Sequence, residues 1–188
     1  MKPRAKVLTS LAVLAVAGLA LAWGMSETHP LTAAEIPAHQ PDIANGKELF
    51  NAAGVDRVIH TGDITQAKTL EVFAHLEAPM YGVFGNNDQE LDTLRPAIER
   101  NGFVFHKPPF ELQWHGRQII VVHDPLEFGG HLTRAHDVAL HGHTHLYRRE
   151  VIDGSLVFNP GECAGHMTGF NAIGVLDLTT LETELLKF

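Results

Sequence analysis

The segment Val138–Tyr147, VALHGHTHLY, places three histidines at alternate positions directly after a short apolar run. Side chains two residues apart in an extended segment project to the same side, so this spacing can direct His143 and His145 toward one point. Imidazole is a poor core filler but a common metal ligand. The segment therefore predicts a buried strand whose end supplies metal ligands. We expect His141, the histidine nearest the strand, to support the strand end or the ligands rather than bind metal.

The composition indicates one folded domain and excludes several classes of protein. The chain has 188 residues, of which 45% are hydrophobic and 19% charged, which suffices for a sizeable core. The net charge of −8 provides no basic footprint, so we expect no specific nucleic-acid partner. An acidic protein also repels phosphate substrates unless bound cations change the local field. The single cysteine, Cys163, excludes a disulfide framework and a cysteine-based zinc cluster within one chain.

Residues 1–54 differ from the rest of the chain. A basic start, MKPRAK, precedes the charge-free apolar run VLTSLAVLAVAGLALAWG. Three interpretations stay open: a secretory signal cleaved near residues 20–22, a membrane anchor, or a first core strand at residues 19–25. A signal or an anchor would suggest export, and this segment is the only part of the chain that we expect to contact a membrane. The histidine-rich, cysteine-poor body is instead typical of a cytoplasmic enzyme. The sequence therefore leaves the location open.

A second unusual segment, PDIANGKELFNAAG at residues 41–54, resembles the stretch that precedes the haem motif of secreted c-type cytochromes. No Cys-x-x-Cys-His motif follows it, so haem attachment is excluded. The ordinary alternative is a helix over residues 43–53, capped by Asp42 and ended by Gly54. We therefore predict an atypical leader over residues 1–54 and the functional domain over residues 55–188.

From Val55 onward, apolar strands alternate first with helices and then with one another. Two hairpin turns are indicated, one at His115-Gly116 and one at Asp153-Gly154, where the Asp-Gly pair favours a type I′ turn. This order predicts a layered α/β fold with a mixed sheet or two packed sheets. We predict helices at 66–77 and 89–100, the second interrupted or restarted at Pro96, and strands at 55–60, 79–84, 110–114, 117–122, 137–140, 146–153, 155–159, 171–178 and 182–188.

Polar clusters follow five of these strands at the point where each one ends. In α/β sheets, sites form beyond the carboxyl ends of the strands, so these clusters are expected to meet at one edge. Their carboxylate, amide and imidazole groups suit Mn, Fe, Zn or Co better than Ca or Mg alone. The clusters are TGD at 61–63, GNND at 85–88, HD at 123–124, HGHTH at 141–145 and NPGE at 159–162.

This ordered set, GD, GNND, H, GHTH and NPG, resembles the calcineurin-like metallophosphoesterases, in particular the small bacterial and archaeal phosphodiesterases of the YfcE-like branch. The resemblance covers residues 55–188. It implies a layered β-sandwich flanked by helices, and two divalent ions (Mn, Ni, Fe, Co or Zn) that activate water against a small phosphoester. The resemblance implies that Asp63 bridges the ions, that Asn86, His123 and His143 bind the second, and that His145 binds the first.

The same resemblance gives Asp63, Asn86 and His123 the central catalytic positions. We expect Asp88 to orient the Asn86 loop rather than bind metal. Each residue also has an ordinary alternative. Asp63 could cap a helix, Asn86 could serve a tight turn, and His123 could bond only to backbone. One shared site at the sheet edge accounts for all of them together.

Two departures from the family pattern bear on activity. The family opens with an Asp-x-His motif, whereas the local match here is SETH, with Glu27 and His29 as candidate ligands of the first metal. A coincidental match is the alternative, and cleavage after Ala22 would remove the strand that positions it.

Many relatives also carry a histidine at the position of Asn87, thought to protonate the leaving group. Because Asn87 cannot act as a general acid, we expect modest turnover and a need for good leaving groups.

The alternative to a hydrolase is a catalytically weak or inactive scaffold of the same fold that binds proteins, as the retromer subunit resembling these phosphodiesterases does. The altered opening motif favours the scaffold, and the intact second-metal set favours the enzyme. An oligomer is possible. The loop from Pro125 to His136 shows no readable chemistry, so the sequence does not identify the substrate.

Overall fold

The computed structural model describes residues 10–14, 51, 53–165 and 171–187. The candidate ligands Glu27 and His29 lie outside these residues, as do the predicted cleavage site and the predicted strand at 19–25. The predicted helix over 43–53 also falls largely outside them. The apolar N-terminal run contributes β1, Ser10–Leu14, which pairs with two other strands of the protein. The proposed division at residue 54 stays a prediction.

Two sheets form the body of the protein, and the predicted α/β sandwich flanked by helices is confirmed. Sheet A has the strand order β11-β10-β1-β2-β3-β4, and sheet B has the order β5-β6-β7-β9-β8. The strands after β1 are β2 Arg57–His60, β3 Met80–Val83, β4 Val104–His106, β5 Phe110–Trp114, β6 Arg117–Val121, β7 Val138–Leu140, β8 Arg148–Ile152, β9 Ser155–Asn159, β10 Ala172–Asp177 and β11 Thr183–Lys187. The helices are α1 Ala67–Glu71 and α2 Leu91–Arg100, and Pro125–Phe128 forms a 3-10 turn.

Both hairpin predictions are confirmed by backbone geometry. Asp153 and Gly154 have φ of 50° and 95°, which is the pair of positive angles that a type I′ turn requires. His115 and Gly116 likewise have φ of 49° and 76° between β5 and β6. These turns set the registers of the β5–β6 and β8–β9 pairs.

The helices differ from the prediction in two respects. The first predicted helix is regular only over Ala67–Glu71, because the chain then tightens into turns with bonds between residues three apart, such as Phe73 N–H to Leu70 O. The second runs unbroken through Pro96, which neither interrupts nor restarts it. Leu94, Ala97 and Ile98 are buried on one face of α2, and this packing holds the helix together across the hydrogen bond that proline cannot make.

Alternation along the strands divides the core into layers. Ile59 of β2 faces the space between the sheets, where it packs with Val121 of β6 and Phe158 of β9. Its neighbour Val58 faces the opposite side and packs with helix residues including Leu94. Successive strand side chains point to opposite faces, so each buried strand serves two layers. Among the helices that the structure describes, none is long and apolar enough to cross a membrane.

Parallel pairing brings the polar clusters to the same edge. β2 pairs in parallel with β3 in sheet A, and β6, β7 and β9 are mutually parallel in sheet B. The carboxyl ends of these five strands carry the polar clusters described above. The architecture therefore meets the geometric condition for a shared site.

Candidate metal centre

Asp63 lies at the end of β2 in a conformation that requires outside support. Its φ of 62° places a non-glycine residue in the left-handed region, which persists only where the surroundings hold it. Asn87 provides this support, because its backbone N–H donates to Asp63 Oδ1 at 2.9 Å and its Nδ2 donates to Oδ2 at 2.8 Å. The carboxylate is thus fixed at the sheet edge with both oxygens oriented.

Asp88 ties the two loops of sheet A to each other. Its carboxylate accepts hydrogen bonds from the backbone N–H groups of Asp63 at 2.9 Å, Thr65 at 2.7 Å and Gly85 at 2.7 Å. Burial raises the pKa of Asp88, and the Asp63 charge adds to that rise, while the backbone donors oppose it. This geometry fits the expected orienting role, since the carboxylate contacts backbone on both loops.

Two glycines allow the loops to approach closely. A Cβ built on Gly85 would stand 2.2 Å from Asp63 Oδ1, and one built on Gly62 would stand 2.4 Å from His123 Nδ1. Gly62 also has φ of 103°, which side-chain-bearing residues rarely adopt. Gly62 is therefore required by contact and by backbone conformation, and Gly85 of the GNND motif by contact.

Four predicted ligands converge on one point. His123 Nε2 lies 2.9 Å from Asn86 Oδ1 and 3.3 Å from Asp63 Oδ2. His143 Nδ1 lies 3.0 Å from the same Asn86 oxygen and 3.2 Å from His123 Nε2. Ligand atoms bound about 2.1 Å from one ion are themselves about 3.0–3.4 Å apart, so these separations match a shared coordination sphere.

The chemistry of this donor set also favours a cation. His123 Nδ1 lies 2.8 Å from the carbonyl oxygen of Thr61, to which it donates, so neutral His123 presents a lone pair on Nε2. That lone pair faces the oxygens of Asn86 and Asp63, which are acceptors as well. In the absence of an ion, a proton on Nε2 fills this position instead: burial lowers the pKa of His123, but the hydrogen bonds of the protonated ring to Asp63 and Thr61 outweigh it and the pKa is raised. Burial likewise raises the pKa of Asp63, yet hydrogen bonds from His123 and Asn87 lower it overall.

His145 is held by a different partner. Its Nδ1 lies 2.8 Å from Glu162 Oε2, and the Glu162 side chain is fully buried. On the other side of the loop, His143 Nε2 lies 3.6 Å from Asp124 Oδ2. Both histidines have positive φ, 62° for His143 and 58° for His145. Positive φ thus occurs at Asp63 and at the two HGHTH residues expected to bind metal, as it also does at turn residues such as His115 and Asp153.

His141 does not join the cluster. It is completely buried, its Nδ1 bonds to the Gly142 carbonyl, and its Nε2 lies 3.4 Å from Nη1 of Arg148. Burial lowers its pKa to about 4, so it is neutral near pH 7. The ring packs edge-on against Phe128, as a histidine that supports the strand end does.

The structure therefore brings together Asp63, Asn86, His123 and His143, and places His145 on Glu162. If only His, Cys, Asp and Glu are counted, the part of the chain that the structure describes contains no group of three or more arranged to hold a metal. The cluster consequently depends on the amide oxygen of Asn86 as a ligand.

The sequence indicates no role for several groups that contribute to the site. It marks Asn87 only as a residue that cannot act as a general acid and indicates no function for Glu162, and the Thr61 contribution is a backbone oxygen that no side chain reveals. A cavity of about 480 Å³ adjoins Asn86 and His123, and the positively charged side chain of Lys107 lines it. The one sequence signal for Glu162 is its position directly after Asn-Pro-Gly, in a motif expected at the sheet edge.

Comparison with known proteins gives concordant matches. The model of the calcineurin-like phosphoesterase superfamily domain matches residues 24–181. A phosphodiesterase of Methanocaldococcus jannaschii is 33% identical over 162 residues, which cover 81% of this chain and 90% of the relative. The family match includes the positions of Glu27 and His29 and begins upstream of the boundary predicted at residue 54.

Solved structures match over nearly the whole chain. An archaeal phosphodiesterase superposes with a TM-score of 0.73 and 26% identity, covering 95% of this chain and 99% of the other. The E. coli phosphoesterase YfcE gives a TM-score of 0.63 and 20% identity over 95% and 98%. Vacuolar protein sorting 29 from Cryptosporidium parvum gives 0.58 and 20% over 95% and 96%. The last two show a shared fold alone.

Proposed function

The chain belongs to the calcineurin-like phosphoesterase superfamily, and on this premise we propose that it is a metal-dependent phosphodiesterase with a dinuclear centre. The observation that carries the proposal is the convergence of Asn86 Oδ1, His123 Nε2 and His143 Nδ1 within 3.2 Å of one another. These atoms come from three separate loops, and with both ring nitrogens unprotonated they would present lone pairs to a common point. The phosphodiesterase activity of the M. jannaschii relative supports the choice of reaction.

The residues of the chain fit two divalent ions chemically. Asp63 has two oriented carboxylate oxygens and can bridge, Asn86, His123 and His143 would hold one ion, and His145 would contribute to the other. Bound ions of this kind supply an activated water at neutral pH and charge to stabilise the transferring phosphoryl group. Asn87 keeps the bridging carboxylate in place through its two hydrogen bonds to Asp63.

Asn87 also limits which substrates react readily. Its amide is engaged with Asp63, and an amide cannot donate a proton to a leaving alkoxide. The chain should therefore hydrolyse diesters whose leaving group is stable as an anion. Among the residues lining the adjoining cavity, Phe84 and Pro108 provide an apolar wall that suits an organic substituent, and Lys107 provides a positive charge. Asp88, Asp124 and Glu127 also line it, so binding of an anionic diester would depend on the bound cations.

Hydrolysis of bis(p-nitrophenyl) phosphate tests the proposal. The purified chain is stripped with a chelator and then supplied separately with Mn, Ni, Co, Fe or Zn, and metal content and p-nitrophenol release are measured together. The expected result is activity that returns with metal, falls for esters of more basic alcohols, and is lost in His123→Ala. No activity with any of the five metals, despite metal uptake, would contradict the proposal.

A scaffold function is the second candidate, and one observation favours it. Leu146, Tyr147 and Val151 are exposed on and beside β8, an edge strand, with exposed fractions of 58%, 47% and 65%. Exposed apolar side chains at an edge can mark a protein-binding surface. Metal stoichiometry separates the candidates, because two ions per chain support the enzyme and one or none supports the scaffold.

A further inference from the structure

We propose that Glu162 is a positioning residue that orients His145 for metal binding. Its carboxylate accepts the hydrogen bond of His145 Nδ1–H and thereby leaves the lone pair on Nε2. The inference rests on the proposed function for its consequence, because it concerns the ion that His145 would bind. The arrangement itself is a property of the chain and can be measured without metal.

The geometry supports a directed interaction. His145 Nδ1 and Glu162 Oε2 are 2.8 Å apart, the Glu162 side chain is 0% exposed, and that of His145 is 30% exposed. The carboxylate accepts only, so the proton in this bond belongs to the imidazole nitrogen. A neutral His145 that donates from Nδ1 has its second nitrogen available as a ligand. Such carboxylate–histidine pairs fix the tautomer and raise ligand basicity at metal sites.

The backbone of Glu162 is anchored to the start of β10. Its backbone forms a parallel bridge with Asn171, and its carbonyl accepts a hydrogen bond from Ala172 N–H at 2.8 Å where β10 begins. The preceding turn is held by Asn159 Oδ1, which accepts from Gly161 N–H at 2.9 Å. The carboxylate therefore reaches His145 from a fixed backbone.

The backbone of the histidine loop is fixed independently of Glu162. Asn159 Nδ2 donates to the Gly142 carbonyl at 3.3 Å and to Thr144 Oγ1 at 3.2 Å. What remains for Glu162 is the rotation and tautomer of the His145 ring. This separation predicts that a Glu162 variant perturbs the ring while the loop keeps its place.

Because the Glu162 carboxylate is buried, it needs a hydrogen-bond donor. A buried carboxylate is unfavourable unless it is paired and hydrogen-bonded. His145 Nδ1–H supplies one donor, and a cation on Nε2 would polarise that donor and strengthen the bond. The carboxylate beside His143 is more distant, since Asp124 Oδ2 lies 3.6 Å from its ring nitrogen. Glu162 thus lies closer to its histidine, His145, than Asp124 does to His143.

The test compares Glu162→Gln and Glu162→Ala with Glu150→Gln. Glu150 is an exposed carboxylate on β8 that pairs with Arg148, so its variant controls for the loss of one negative charge. Long-range ¹H–¹⁵N spectra of the metal-free full chain, assigned with His145→Gln, report which nitrogen carries the proton. Calorimetric titration with Mn²⁺ then reports the affinity of each metal site, and thermal unfolding reports folding.

The wild-type chain and E150Q should show the proton on His145 Nδ1 and two Mn²⁺ sites. E162A should lose the Nδ1–H preference and weaken one site by about 10–100-fold, while the other changes less than about twofold. E162Q keeps the side-chain size and should show the same changes to a smaller degree, so it decides the matter if E162A does not fold.

Two failures are distinguishable. If wild-type His145 carries its proton on Nε2, or if the Glu162 variants leave its tautomer and both Mn²⁺ affinities unchanged, the inference is overturned and the dinuclear proposal stands. If the wild-type chain binds no Mn²⁺ at all, the proposed function fails, and the tautomer in the metal-free spectra still decides whether Glu162 orients the ring.

Discussion

Nε2 of His123 lies 2.9 Å from Oδ1 of Asn86, and both atoms are acceptors when His123 donates from Nδ1 to Thr61. Two acceptors at hydrogen-bond distance require something positive between or beside them. A proton on Nε2 meets this need, and so does a metal ion that binds both atoms. The pair is therefore satisfied either by a protonated His123 or by a bound ion, and metal titration separates the two.

Replacement of Asn86 tests the metal interpretation of that pair. Asn86→Asp retains a ligand oxygen and cannot donate, so it should bind Mn²⁺ at least as tightly as the wild-type chain. Asn86→Ala removes the ligand and should weaken the same site by at least about 100-fold. Calorimetric titration measures both. If instead the amide Nδ2 bonds to the rings, N86D should lose affinity as N86A does, which would contradict the assignment of Oδ1.

Gly85→Ala tests whether close loop contact holds Asp63. The added Cβ would stand 2.2 Å from Asp63 Oδ1 and 2.6 Å from its backbone nitrogen, so one of the loops must move. We expect a loss of about 1–3 kcal/mol in unfolding free energy together with a loss of phosphodiesterase activity of at least about tenfold.

Gly102→Ala is the matched control for that variant. It has φ of 69° but nothing within 4 Å of the added Cβ, so it measures backbone strain alone. G102A should lower stability while leaving activity within about twofold. Equal activity in G85A and G102A would contradict the contact argument.

The burial of His60 predicts that the folded state loses stability in acid. It is fully buried, its Nδ1 accepts from Gly62 N–H, and burial lowers its pKa to about 3. The unfolded chain takes up the proton near pH 6.5, so the folded state is favoured above that pH. This advantage is lost as the pH falls from about 6.5 toward 3, by about 1.4 kcal/mol per pH unit at most.

His60→Asn isolates this effect, since asparagine can still accept from Gly62 but cannot be protonated. The variant should be less stable than wild type at pH 7.5 by about 1–3 kcal/mol, because a ring packed against Phe73 and Phe105 is lost. Urea unfolding of metal-free protein should show this gap narrowing as the pH falls from 6.5 to 4.5. The exposed His75→Asn serves as control, and a gap that stays constant with pH would refute the linkage.

Lys107 should contribute to substrate binding rather than to chemistry. It is exposed at the cavity beside Asn86 and His123, where its charge can meet an anionic diester. Lys107→Met should raise KM about fivefold and leave kcat within about twofold, as a partly solvated ion pair of about 1 kcal/mol would. Lys68→Met, on an exposed position of α1, should change neither. A lower kcat with unchanged KM in K107M would argue against this role.

Much of the fold was predictable because its signals are local. Asp153-Gly154 specifies its own turn, and apolar runs such as RVIH and IIVV announce buried strands. β4 was missed because it has only three residues, of which Val104 and His106 are exposed, so no apolar alternation marks it. The unbroken course of α2 through Pro96 depends on tertiary burial of its apolar face, which local rules do not weigh.

The site was likewise predictable only in its local features. Polar residues at strand ends were predictable as candidates, because parallel strands deliver their carboxyl ends to one edge. The identity of each partner was not, since His145 and Glu162 are 17 residues apart and meet only after β8 and β9 have formed their hairpin. The Thr61 carbonyl that sets the His123 tautomer has no signature in the side-chain sequence.

Anomalous diffraction from crystals of the full chain soaked in Mn²⁺ would locate the bound ions. We expect one peak about 2.0–2.3 Å from Asn86 Oδ1, His123 Nε2 and His143 Nδ1, and a second about 3.5–4 Å away near Asp63 and His145. Maps that contain only water between these three ligand atoms at saturating Mn²⁺ would contradict this expectation.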